Sequence, residues 1–214
     1  SEPIRQNNNK VLQGSVVQVE DYIKTLMNSL QSQLIFLSTP VLYNTMEEAD
    51  YAQLIDNLMI YHQEQIHSIY LIENNEVRIS SPYGYKFFVP ADRIKEIKTQ
   101  TSRSGLWWSP PHPVSERSVI TVAKQIDSNR VIALDINLSA LTGPRIIQNE
   151  QRRIYLYTHN GEYLSTNTYL DYPKTYQDHL EMKVALQKLT QSSVSSYNTV
   201  HTSFGNYTVL SSNQ

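Results

Sequence analysis

From Lys10 to about Leu42 the apolar residues Val16, Val19, Ile23, Leu26, Leu30, Leu34 and Leu37 recur every three or four positions. That spacing places them on one stripe of a long helix of about nine turns, at 3.6 residues per turn. Gln18, Asp21, Lys24, Asn28, Gln31 and Ser32 fall between them as a polar side. Residues 1–9 are polar and Asn-rich and read as a frayed end. Thr39-Pro40 bends or ends the helix. The near-heptad period suits a helix dimer or packing on the chain's own sheet, the latter more so for the second half.

Thr45, followed by Glu47 and Glu48, reads as an N-cap with first-turn acids. It opens a shorter amphipathic helix through Ala49, Leu54, Ile55, Leu58 and Met59 to about His62. Ile66–Glu73, the Asn74-Asn75 turn and Glu76–Ser80 predict a hairpin. A loop at Pro82–Tyr85 leads to Pro90, which opens a helix from Ala91 to about Gln100. Trp107-Trp108 begins a strand, and Pro110–Pro113 is a stiff extended loop. Val119–Ile126 and Val131–Ile136 form a second hairpin around Asp127–Arg130, and Asn137–Leu141 turns into a helix. The order then recurs in shorter form. A helix covers Ser139–Glu150, and strands Arg153–Thr158 and Tyr163–Thr166 flank the Asn160-Gly161 turn. A helix over Tyr176–Leu189 precedes strands Ser195–His201 and Tyr207–Leu210. Helix followed by hairpin, repeated, makes the fold class α+β.

With 214 residues, 40% of them hydrophobic, the chain can bury a core in one domain or two small ones. Eighteen basic against 20 acidic residues leave a net charge of -2, so no global field holds nucleic acid or an anionic membrane. The absence of cysteine removes disulfides, thiolate chemistry and thiolate metal sites. Fifteen tyrosines against four phenylalanines favour wet pockets and interfaces, since a tyrosine ring is apolar with a polar tip. No apolar run reaches the ~20 residues of a membrane span. The abrupt ends at Ser1 and Gln214 suggest a piece of something longer.

Catalytic and metal motifs are not found. His62-Gln-Glu64-Gln-Ile-His67 separates its histidines by five residues, and on a helix the two rings would diverge by about 140° at roughly 100° per residue. The chain has no Gly-x-Ser-x-Gly elbow and no phosphate-cradling glycine loop. Asp135 reads as a helix cap at a strand end, and Asp178 with Glu181 as a solvated helix face. No metal, cofactor or catalytic residue is expected.

Two stretches carry a family resemblance. Ala133-Leu134-Asp135-Ile136 is similar to a strand-ending Gly-x-Asp-Ile, and Arg153–Gly161 looks like the opening hairpin of a second module. With the long leading helix, this order resembles the double Cache family of extracytoplasmic sensing domains. The nearest likeness is to sensor histidine kinases of Gram-positive bacteria, where a Trp-aromatic pair, a proline-bearing loop and a hairpin follow one another. The resemblance implies a long N-terminal helix (1–45), a membrane-distal PAS-like module (46–140) and a smaller membrane-proximal one (141–214). Strands within 66–80, 106–108 and 119–136 would form the distal sheet, and those within 153–166 and 195–210 the proximal one. It also implies a small-molecule ligand in the distal module, an extracellular position, and a homodimer through the long helix. Membrane contact would come only through flanking segments. The rival reading is a secreted or surface adhesion domain without a pocket.

One subgroup of the family binds amino acids through Arg-x-Trp-Tyr and a later acidic residue. Trp107-Trp108 would occupy the Trp-Tyr positions, but Gly105 stands where the arginine belongs. Arg103 has the same strand parity two residues away, and Pro110–Arg117 replaces the later Tyr-x-Asp loop. An amino-acid ligand is therefore not implied. Trp107 and Trp108 point to opposite faces of a strand, so one can wall a cavity. Tyr70, Tyr83, Tyr85 and Arg103 complete the candidate ligand-binding set.

Overall fold

A computed structural model of the chain describes residues 2–142, 155–158, 160–166, 176–192, 197–203 and 205–210. It divides into two compact units, one of residues 26–140 and one of residues 1–25 with 141–214. Helix α1 (Glu2–Leu42) contributes its first part to the second of these and its remainder to the first.

The unit of residues 26–140 is a sheet clothed on both faces. It comprises α2 (Glu48–Tyr61), β1 (Ile66–Glu73), β2 (Glu76–Ser81), α3 (Ala91–Ser104), β3 (Leu106–Trp108), β4 (His112–Val114), β5 (Arg117–Gln125) and β6 (Arg130–Asn137). The strands form one antiparallel sheet in the order β2-β1-β6-β5-β3, with β4 also paired to β5. The central strand β6 is buried almost throughout. A strand buried on both faces reads as a nearly continuous apolar run, as Val131–Ile136 does.

Strand pairing sorts the residues by face, because directly opposed side chains point the same way. Ser68 pairs with Asp135, Tyr70 with Ala133, Thr121 with Asp135, and Trp107 with Ala123. These residues share the face on which Ile94 and Ile97 of α3 pack beside Tyr70, Ile72, Ala123, Val131 and Ala133. Ile69, Leu71, Val122, Ile132 and Leu134 occupy the other face and are buried. Helix α2 runs along β1 and β2 and is tied to α1 by the buried Tyr51, whose hydroxyl donates to the Leu37 carbonyl at 2.8 Å. Arg130 fastens the end of α1 to the β5–β6 turn. Its Nη1 donates to the Val41 carbonyl at 3.1 Å, and its Nε and Nη2 grip Asp127.

The apolar stripe of α1 is spent within the chain. Val19, Leu26, Leu30, Leu34 and Leu37 are all buried, and the outward side carries Val17, Ile35 and Phe36 instead. Helix α1 starts at Glu2, where a frayed end was expected, and continues two residues past Pro40. Thr45 is not the cap of α2. Glu47 holds that position with extended backbone and no side-chain bond. Helix α3 runs four residues beyond the expected Gln100 and stops at Gly105, whose φ of 76° suits a residue without a Cβ. Pro113 lies in β4, which pairs only with β5 and so sits on an edge where a missing N–H is tolerated.

In the other unit β7 (Tyr155–Tyr157) pairs with β8 (Tyr163–Thr166), and β9 (Tyr197–Thr202) with β10 (Gly205–Leu210). Among the described residues these are two separate two-stranded ladders, where one proximal sheet was expected. Helix α4 (Tyr176–Ser192) serves both. Gly161, at φ 80°, approaches the Lys183 backbone so closely that a Cβ would meet it at 3.0 Å. Glu181 accepts from the Ser203 amide and hydroxyl at 2.6 and 2.7 Å, so it braces the β9–β10 turn and is not merely a solvated face residue. The helix expected over Ser139–Glu150 is a 3-10 turn at Leu138–Thr142, and its remainder lies outside the described residues.

The burial of the stripe has a measurable consequence. Leu37→Ala should destabilise the chain by about 2–5 kcal/mol, as fully buried leucines do. Ile35→Ala, on the exposed side of the same helix, should cost within roughly 0.5 kcal/mol. Urea denaturation of both variants checks this.

Candidate functional site

The apolar run of β6 is interrupted by Asp135, which is only 1% exposed. Its carboxylate takes three hydroxyl donors from three different elements. Tyr70 of β1 donates to Oδ1 at 2.9 Å, Thr121 of β5 donates to Oδ1 at 2.6 Å, and Tyr85 donates to Oδ2. Tyr85 comes from a 3-10 turn, Tyr83–Phe87, held against β2 by Ser80, whose hydroxyl lies 2.8 Å from both the Pro82 and Tyr83 carbonyl oxygens, sharing its one proton between them, and accepts from the Lys86 amide at 3.0 Å. The expected capping role of Asp135 is therefore wrong, since its described partners are side-chain hydroxyls. A buried carboxylate needs such donors, because desolvation without them costs several kcal/mol.

A second layer surrounds this group. Thr121 has one hydroxyl proton and gives it to Asp135. The 2.8 Å contact of Thr121 Oγ1 with His112 Nε2 therefore requires the histidine to donate. His67 sits where the β1–β6 register slips between Ile66 and Ser68. That bulge turns its ring toward the Asp135 side, edge-on to Tyr85 with centroids 5.3 Å apart and Nδ1 3.4 Å from the Ser68 hydroxyl. Tyr70 and Tyr85 are tilted against each other at 5.6 Å, and Trp107 packs on the same cluster. Asn137, two residues along β6 on this face, is buried with its Oδ1 lacking a hydrogen-bond partner.

The electrostatics follow from burial beside one negative charge. Burial raises the Tyr70 hydroxyl well above the ordinary tyrosine value, with the Asp135 charge adding to it. Burial and then Asp135 do the same to Tyr85. Both phenols thus stay protonated and remain donors. His67 and His112 are pushed below the ordinary histidine value, mainly by burial. Asp135 opposes that shift at both, while Arg117 reinforces it at His67 and Arg93 at His112.

The candidate residues read from sequence divide in two. Tyr70 and Tyr85 bond Asp135, and Trp107 packs on the hydrophobic cluster beside them on the same face. Trp108 pairs with Val122 and so belongs to the opposite face. Tyr83 is 70% exposed, lies edge-on to Phe87 and holds the Lys86 ammonium 4.1 Å from its ring centre. Arg103 is exposed on the last turn of α3. Asp135, Thr121, His112 and His67 were not singled out as site residues. The available signal was one acid inside an otherwise apolar strand. Among the described residues no three His, Cys, Asp or Glu side chains gather as a metal site would need, and no helix is long and apolar enough to cross a membrane.

No protein-family model matches the chain. No curated protein matches it either. Solved structures do. The extracellular domain of the histidine kinase candidate rpHK1S-Z16 superposes with a TM-score of 0.69 at 14% identity, over 97% of this chain and 88% of that one. The ligand-binding domain of the Campylobacter jejuni chemoreceptor Tlp3, in complex with L-norvaline, gives 0.61 at 14% identity, over 96% and 84%. The ligand-binding domain of the Pseudomonas aeruginosa PAO1 amino acid chemoreceptor PctC, in complex with GABA, gives 0.57 at 15% identity, over 74% and 75%. At such identities the likeness is one of fold. The chain has the α+β fold of Cache-type, PAS-like sensor domains.

Two outcomes are expected at this site. Asp135→Ala should destabilise strongly, since each hydroxyl left without its acceptor costs about 1–3 kcal/mol; Asp135→Asn, which keeps an acceptor oxygen, should cost less in the same denaturant titration. The lowered imidazoles make a pH-dependent contribution to stability. It is present above about pH 6.5, the unfolded value, and is lost as pH falls through the folded value. NMR titration should place both His67 and His112 midpoints below that of a free histidine.

Proposed function

We propose that this chain is the extracellular ligand-sensing part of a bacterial transmembrane signalling receptor, of double Cache type, and acts by binding without catalysis. The sensor histidine kinase of Gram-positive bacteria is the receptor type its sequence resembles. A small molecule would bind on the Asp135 face of the unit of residues 26–140, walled by Tyr70, Tyr85 and Trp107. The observation that carries this reading is a fully hydrogen-bonded carboxylate at the centre of a sheet face that packing alone would fill with aliphatic side chains. A buried polar network is costly to misarrange, so a ligand that rearranges it has leverage on the fold around it. The fold's occurrence in ligand-binding domains that hold L-norvaline and GABA supports the same reading.

Tyr85 supplies the moving part. It reaches Asp135 from a short turn, not from the sheet, so a ligand competing for the carboxylate or the phenol changes the seat of that turn. Ligand binding would favour one of two seats, and can do so only by its differential affinity for them. Homodimerisation through α1 belongs to this proposal, and would use the outward Val17, Ile35 and Phe36, because the main stripe is already covered.

A thermal-shift screen of metabolites tests the proposal against an adhesion domain without a pocket. At least one compound should stabilise the chain, by about 2.7 kcal/mol at a hundredfold excess over its Kd. Trp107→Ala should abolish that shift while the variant stays folded, and Trp108→Ala, on the other face, should not. A chain that no metabolite stabilises would favour the adhesion reading.

A further inference from the structure

Strand β6 carries both the acid at the centre of the candidate site and the group that holds the end of the long helix. Asp135 points to one face of the sheet, and Arg130, five residues earlier and of opposite parity, belongs to the other. Between them β6 is laddered on both sides without interruption. Residues 68–73 of β1 pair with residues 135–130, and residues 121–125 of β5 with residues 135–131. The one irregularity of the β1–β6 pairing lies beyond Asp135, between Ile66 and Ser68. The segment spans about 17 Å at ~3.4 Å per residue, and it is buried from Val131 onward. A strand held in this way has no bulge in which to absorb a shift, and a close-packed interior transmits strain.

At the far end Arg130 is firmly aimed. Asp127 Oδ1 accepts from the Asn129 and Arg130 amides, both at 2.9 Å, which closes the β5–β6 turn. Asp127 Oδ2 accepts from Arg130 Nε at 2.9 Å and Nη2 at 2.6 Å. With those two nitrogens anchored, the planar guanidinium presents Nη1 to the Val41 carbonyl at 3.1 Å. The end of α1 needs such a donor. Its own last turn holds no basic residue, and Pro40 has no N–H to give to the Phe36 carbonyl one turn back. Terminal carbonyls are served from outside instead, Leu37 by Tyr51 of α2 and Val41 by Arg130. Past them the backbone closes through the amides of Tyr43, Asn44 and Thr45, which donate to Thr39, Val41 and Pro40 at 3.1, 3.4 and 3.0 Å.

Resting on the sensor reading above, we propose that Asp127 and Arg130 form a clasp through which the state of the Asp135 face is passed to α1. Strand β6 is the bar, Asp135 its loaded point, and the Arg130–Val41 bond its grip on the helix. A rearrangement that reseats β6 at Asp135 carries the guanidinium with it, and the last turn of α1 either follows or loses its donor. Arg130 is thus a positioning residue, five residues from the site and on the other face. Tyr51 grips Leu37 from α2, which contributes no donor to Asp135, and so supplies a fixed reference.

Hydrogen exchange of the full chain, read by NMR at the Tyr43, Asn44 and Thr45 amides, tests the clasp. Arg130→Met should speed their exchange by about tenfold, the scale of one lost bond to a charged group. Arg130→Lys, which keeps the charge and loses the fork, should resemble Arg130→Met, and Asp127→Asn, which leaves the guanidinium unaimed, should act in the same direction. Asp135→Asn stands in for an altered ligand face. It should speed the same three amides by about threefold or more with Arg130 present, and add nothing in the Arg130→Met or Asp127→Asn background. The His62 amide, which closes the end of α2 on the Leu58 carbonyl, should respond to none of these. Three amides indifferent to Asp135→Asn, or equally responsive with and without Arg130, or matched by His62, would overturn the clasp and leave the sensor reading standing. That reading falls on its own test, a chain that no metabolite stabilises.

Discussion

The buried carboxylate of Asp135 is the constraint around which the unit of residues 26–140 is arranged. A charge at the centre of a sheet is tolerable only if hydroxyls reach it from several directions, and three elements are committed to that task. Tyr70 must lie across the sheet from β6 by one diagonal, Thr121 must be directly opposite, and the turn after β2 must bring Tyr85 over the top. The requirement thus fixes the register of β1 and β5 against β6, and also the seat of the turn. An aliphatic residue in place of Asp135 would remove the penalty and with it the reason for Tyr85 to be where it is.

The two faces of the sheet divide the labour. The face of Ile69, Leu71, Val122, Ile132 and Leu134 is uniformly apolar and buried. It is the stabilising side. The face of Asp135 mixes Ala123, Ala133 and Ile72 with hydroxyls, imidazoles and Trp107. Small alanines beneath large tyrosines leave room for the rings to lie along the sheet. The β-bulge at His67 adds to this side a group that strict alternation would have sent to the other.

The two units were unequally legible. Ile66–Glu73, Glu76–Ser80, Val119–Ile126 and Val131–Ile136 were placed within two residues of their observed ends, because alternation and Asn or Asp turn chemistry are local. The N-cap of α2 falls on Glu47 and not on Thr45, with no side-chain bond to mark it, whereas α3 ends at Gly105, a local stop signal four residues beyond the expected end. Of the candidate site, Tyr70, Tyr85 and Trp107 come together, whereas Trp108, Tyr83 and Arg103 lie elsewhere. Strand parity already required one tryptophan to leave the site, but parity alone does not say which.

The sequence by itself determined the α+β class, the long helix with one apolar stripe, and the hairpins, since each rests on periodicity within a few turns or a few residues. Only the tertiary structure decided that the stripe is consumed inside the chain, that Asp135 is a buried acceptor and no cap, and that His67 and His112 share its surroundings. The last two depend on strand register and on a single extra residue in β1. A one-residue shift exchanges the faces of a strand without altering its local pattern.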